Sequence, residues 1–119
     1  MKDVWNRTLL EHAHALEKRE YSSRELTATL LERIEEKDVT LGAFLSVDRE
    51  GAMKAAEASD GRRKRGEGRG PLDGIPYSLK DNICAKGLPL TCGSRILEDY
   101  LSPYDATVTV RLHIRRARH

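Results

Sequence analysis

Aromatic residues are scarce in this chain, with one Trp, four Tyr and one Phe among 119 residues. A nucleic-acid surface that stacks bases on interleaved aromatic rings therefore has little to build from. No apolar run is long enough to span a bilayer, so a membrane-spanning helix is not expected. The first residues, MKDVWNRTLLEHAH, are too polar for a signal peptide, and their acidic side chains disfavour a transit peptide, which predicts a cytoplasmic protein without membrane contact. Cys84 and Cys92 are the only cysteines. Their spacing matches no common zinc or redox motif, so they are read as two free thiols, with no metal site expected. The charge excess is small, +2, and is concentrated in residues 61–69 and 111–119, which read as a solvated loop and a solvated tail. There are no internal repeats.

A chain of this length forms one domain at most, burying about two thirds of the surface its unfolded form exposes. Val4, Trp5, Leu9, Ala13 and Leu16 recur with a loose helical period, predicting a helix over residues 4–18 with one buried stripe. His12 and His14 on it are two residues apart and point in different directions, so they cannot share a metal and both are expected to be exposed. Ser22 and Glu25 form a capping-box pattern, placing a second helix start near Ser23. Leu26, Leu30, Leu31 and Ile34 give that helix its apolar stripe, charged residues fill its outer face, and its end falls near Asp38. Together the two helices predict a hairpin. Residues 43–47 are short and apolar, consistent with a buried strand, and Asp48 is placed to cap a third helix running to about Ser59. Residues 60–70, rich in Gly and Arg, read as a mobile connector.

Residues 70–82 read GPLDGIPYSLKDN. Two glycines and two prolines predict a tight turn, followed by a short strand in which Tyr77 and Leu79 alternate with Ser78 and Lys80. With Tyr77 and Leu79 facing the core, Ser78 and Lys80 share the other face. Asp81 and Asn82 then favour a turn and are placed to hydrogen-bond a half-buried Lys80 ammonium. Beyond them, Gly87, Pro89 and Gly93 break any long element, and Asp105 is positioned to cap a helix through Val108 and Leu112.

Three ordered blocks, GIPYSLKDNI, TCGSRILEDY and YDATV, resemble the amidase signature family, and the resemblance extends from Thr8 to about Leu112. Within the family the wording is most similar to the A subunits of glutamyl-tRNA(Gln) and aspartyl-tRNA(Asn) amidotransferases. The resemblance implies an α/β fold: an N-terminal helical hairpin followed by the first part of a mixed sheet. It also implies a catalytic role for Lys80, one member of a Ser-Ser-Lys triad. A free lysine, with a pKa of about 10.4, acts as a base only where burial or hydrogen bonding lowers that value. Both serines of the triad belong to a Gly-Gly-Ser-Ser-Gly-Gly loop that does not occur in these 119 residues, and neither Ser78 nor Ser94 sits in such a motif.

In such complexes the A subunit hydrolyses glutamine to release ammonia. The B subunit uses the ammonia with ATP and magnesium to amidate misacylated tRNA, and a small C subunit wraps between them. The resemblance thus implies B and C subunits as partners, glutamine as substrate, tRNA contact only through the complex, and no cofactor on this chain. Residues 1–112 are assigned to the N-terminal part of the family domain and 113–119 to a basic tail outside it, expected to arise from a truncation. A chain with only the lysine of the triad is expected to be inactive alone and, with an uncovered sheet edge, to fold poorly by itself. A small-amide amidase fragment and a non-enzymatic helical interaction module are the alternative readings.

Overall fold

The structure is a computed structural model that describes residues 3–115, with side chains through His113. A single 3-10 turn, Val4–Asn6, precedes helices α1 (Leu9–Glu17), α2 (Ser23–Leu41) and α3 (Arg49–Lys64). A long irregular segment follows, holding a second 3-10 turn at Arg95–Leu97, and α4 (Thr107–Arg115) closes the described chain. No strand forms among the described residues; one antiparallel bridge joins Pro89 to Leu101.

Local chemistry explains the first two helices. Thr8 accepts from the Glu11 amide at 3.3 Å while the Glu11 carboxylate takes the Thr8 amide at 2.6 Å. That reciprocal box starts α1 at Leu9, because Arg7 is extended and breaks the longer helix expected from Val4. The expected Ser22–Glu25 box is formed, with bonds of 3.0 and 2.8 Å. The end of α2 lies at Leu41, three residues beyond Asp38, where Gly42 adopts φ 61° and returns its amide to the Asp38 carbonyl at 2.8 Å.

Val4, Ala13, Ala15, Leu16, Tyr21, Leu26 and Ile75 make the core, with Leu30 and Leu72 packed against it. The stripe of α2 is as expected, and of the set anticipated for the first helix Val4, Ala13 and Leu16 go inward while Trp5 and Leu9 are exposed. Trp5 instead stacks under the Arg33 guanidinium of α2, 4.4 Å from its ring centre. His12 departs from expectation because Tyr21 folds back over it. The ring is buried with Nδ1 2.8 Å from the Tyr21 hydroxyl, and burial pushes its pKa down. His14 is exposed as expected.

Residues 43–47 are not a buried strand: all five are exposed, Leu45 at 77%. A strand needs a neighbour for its backbone, and none of the described residues supplies one; the amides of Ala43 and Phe44 turn back to the Asp38 carboxylate instead. Asp48 caps α3 as expected, accepting from the Gly51 amide at 3.0 Å. The helix continues five residues past Ser59, absorbing half of the expected connector, because its last turns carry long-range partners. The Asp60 carboxylate accepts from the amides of Ser23 and Arg24, at 2.8 and 3.0 Å, thereby capping α2 from outside. The Ser23 hydroxyl donates to the Gly74 carbonyl at 2.6 Å. The first residues of the expected basic tail, 113–115, continue α4; residues 116–119 lie outside the described residues.

Gly74 sits where these elements converge, with φ 93°, and a Cβ there would stand 2.6 Å from Ser59 Oγ and 3.0 Å from Ser23 Cβ. Gly74→Ala is expected to cost about 1–3 kcal/mol from the backbone conformation alone. Thermal denaturation followed by circular dichroism should show the midpoint fall by several degrees; an unchanged midpoint would contradict this packing.

Candidate functional site

The 70–82 segment is held at its turn by Asp73, whose side chain is 1% exposed. Arg62 of α3 grips it as a fork, Nη2 to Oδ1 at 2.6 Å and Nε to Oδ2 at 3.2 Å. The Arg69 amide donates to Oδ2 at 3.1 Å, and Arg63 donates to the Asp73 carbonyl at 3.0 Å. Burial pushes the Asp73 carboxyl upward, but the Arg62 fork and the Arg69 amide outweigh it and hold the pKa below the ordinary carboxylate range. Nothing in the sequence beyond an Asp in a Gly/Pro turn marks this residue.

From that anchor the chain runs through Ile75, buried in the core, to Lys80, whose side chain is exposed. Residues 77–80 join no ladder, and Tyr77 is exposed rather than buried, so the alternation in sequence is not realised as a two-faced strand among the described residues. The Tyr77 hydroxyl lies 3.1 Å from Nε2 of His113 on α4, and His113 Nδ1 lies 3.9 Å from Asp105. Asp105 does not cap α4 in the way expected; its carboxylate takes the Lys86 amide at 2.7 Å. The expected Asp81 and Asn82 contacts to the Lys80 ammonium are also absent. No hydrogen bond or ion pair reaches Lys80 Nζ among the described residues.

Asp81 is engaged elsewhere. Its Oδ1 accepts from the Thr91 amide at 2.8 Å, its Oδ2 accepts a short bond from Thr91 Oγ1, and its carbonyl accepts from the Cys92 amide at 3.0 Å. Thr91 Oγ1 also accepts from the Gly93 amide at 3.2 Å, so the 91–94 turn is locked to the residue after Lys80. The Thr91 hydroxyl and amide hold the Asp81 carboxyl below its ordinary pKa. Ser94 caps the 3-10 turn at Arg95–Leu97, and Ser78 is exposed. Cys84 and Cys92 are free thiols, as read from their spacing. Among the described residues no group of three His, Cys, Asp or Glu side chains is placed to hold a metal ion, and no helix is long and apolar enough to cross a membrane.

Comparison with known proteins matches residues 25–116 to the amidase family model. The chain is 46% identical over 112 residues to the A subunit of the glutamyl-tRNA(Gln) amidotransferase of Acidothermus cellulolyticus, covering 94% of this chain and 22% of that protein. It is 55% identical over 91 residues to the corresponding A subunit of Anaeromyxobacter sp., covering 76% of this chain and 18% of that one. The chain thus spans about a fifth of the length of these curated relatives. Among solved structures, a chain of a vestigial protein complex bearing on the evolutionary origins of an s-triazine catabolic enzyme superimposes with a TM-score of 0.85 at 29% identity, over 94% of this chain and 25% of that one. A peptide amidase bound to the competitive inhibitor chymostatin gives 0.83 at 34% identity, over 92% and 23%.

The Asp73 anchor sets an acid limit on stability. A carboxyl whose folded pKa is depressed contributes stability that is complete above the unfolded value and is lost as pH falls through the folded value. Asp73→Asn keeps the shape but removes the charge that the Arg62 fork needs, and is expected to cost about 3 kcal/mol at neutral pH. Urea titrations at neutral pH and near pH 3 should therefore show the variant and the parent converging in acid; a constant difference would refute the assignment.

Proposed function

This chain belongs to the amidase family, and from that premise we propose that it forms the lysine-bearing part of an amide-hydrolysing protein of the kind found in glutamyl-tRNA(Gln) amidotransferases. Lys80 is the proton acceptor of this reading. The observation that carries it is the unpaired Lys80 amine, standing at the end of a segment anchored by Asp73 and flanked by the locked 91–94 turn. The amine has no counter-ion among the described residues, and the backbone on either side of it is tied down through Asp73 and Asp81, which supports the reading; the burial or hydrogen bonding that a lysine base also needs is not supplied by the described residues. In the proposed reaction a nucleophilic serine attacks the glutamine side-chain carbonyl while its proton passes through a second, bridging serine to the Lys80 amine. The proton returns to the leaving nitrogen, ammonia departs as the acyl-enzyme forms, and water then releases glutamate. The 119 residues hold no Gly-Gly-Ser-Ser-Gly-Gly loop, so the serines must be provided outside them.

The proposal extends to the assembly. B-type and C-type subunits are the partners; the B-type one holds ATP and magnesium, and tRNA is reached only through the complex. Hydrolysis of small or peptide amides is a second reading, supported by the 34% identity to the peptide amidase. The higher identities to the amidotransferase relatives favour glutamine.

The test replaces the matching segment of the Acidothermus cellulolyticus protein with this chain and assays glutamine hydrolysis with the partner subunits present. The chimera is expected to be active, and Lys80→Ala to lower kcat by at least about 100-fold with an unchanged circular dichroism spectrum. Activity retained above a few per cent would overturn the role of Lys80. The 119-residue chain alone is expected to release no ammonia from glutamine.

A further inference from the structure

Lys80 and Asp81 are adjacent in sequence, opposite in charge and yet unpaired. Adjacency does not forbid pairing in this chain: Glu36 and Lys37, also neighbours, form an ion pair at 2.8 Å. The difference lies in the other duties of the carboxylate. Both oxygens of Asp81 are taken by Thr91, through its amide and its hydroxyl, and the Asp81 carbonyl is fixed by Cys92. Turning that carboxylate toward Lys80 would break the charge-assisted bond from the Thr91 hydroxyl, which is worth more than an exposed ion pair. Thr91 in turn is held by its bonds to the Gly93 and Ser94 amides, at 3.2 and 2.8 Å.

We infer that Thr91 is a positioning residue acting through Asp81: its hydroxyl withholds the neighbouring carboxylate from Lys80 and so keeps the amine available as a base. The catalytic meaning rests on the reading of Lys80 given above. The withholding itself is a property of this chain, and it is read without any amide hydrolysis.

The experiment acylates the chimera described above with limiting N-hydroxysuccinimide acetate and follows Lys80 by peptide mapping, with Lys86 as the internal standard. Removal of the hydroxyl in Thr91→Val frees the carboxylate, and Lys80 should acylate about two- to fivefold more slowly, the range an exposed ion pair provides. Thr91→Ser should react as the parent does. The double variant Asp81→Asn, Thr91→Val should recover the parental rate, which a merely disturbed loop would not. A Lys80 rate unchanged in Thr91→Val, or a slowing that Asp81→Asn fails to relieve, would overturn the proposal. Asp81→Asn alone provides a check that does not depend on Thr91→Val folding. Its Lys80 should react at the parental rate, and a several-fold acceleration would mean that Asp81 already pairs with Lys80 and that the proposal fails. An inert Lys80→Ala result in the chimera would remove the catalytic meaning but leave the acylation pattern intact.

Discussion

The buried Asp73 carboxylate is the constraint on which most of the arrangement depends. A lone charge at 1% exposure is unfavourable, and it is tolerated here because Arg62 approaches as a fork and the Arg69 amide completes the coordination. To satisfy it, α3 must extend to its arginines and the 70–75 turn must come back against the start of α2. That return places Ile75 in the core and brings the Gly74 carbonyl to Ser23. Asp60, earlier on α3, then reaches the open amides of α2. Three elements are thereby fixed relative to one another mainly by directional bonds, which suits a chain with few large apolar side chains to bury.

What is legible in the sequence follows the range of the interactions. The start of α2 is readable because Ser22, Glu25 and the leucines lie within a few residues of one another. The Thr8–Glu11 box is equally local, but Val4 and Trp5 extend the apolar pattern across it and hide the break at Arg7. The end of α3 is not readable, because Arg62 gains its reason to stay helical from Asp73, eleven residues away. Residues 43–47 have the composition of a strand, yet strand formation depends on a partner that they do not encode themselves.

The site divides in the same way. Lys80 is singled out only by the resemblance of the wording around it, and its exposed amine, without a hydrogen bond or ion pair among the described residues, differs from the half-buried ammonium expected between Asp81 and Asn82. The partner of Asp81 is Thr91, ten residues on, and sequence spacing gives no sign of it. His12 escapes a sequence reading for a similar reason, since Tyr21 reaches back over it from beyond the end of α1.

The cap that Asp60 places on α2 also bears on the order in which the molecule assembles. The first two amides of α2 are satisfied by a side chain 37 and 36 residues away, so the helix cannot have a complete N-terminus until α3 has formed and docked. Before that moment only the Ser22–Glu25 box holds the first turn, and fraying there costs little. Closing a loop of this size costs entropy that no local contact offsets, and that cost is met when α3 docks. Amides at the start of α2 should then exchange with solvent only through the opening that also releases α3, linking two ends that are distant in the chain into one cooperative unit.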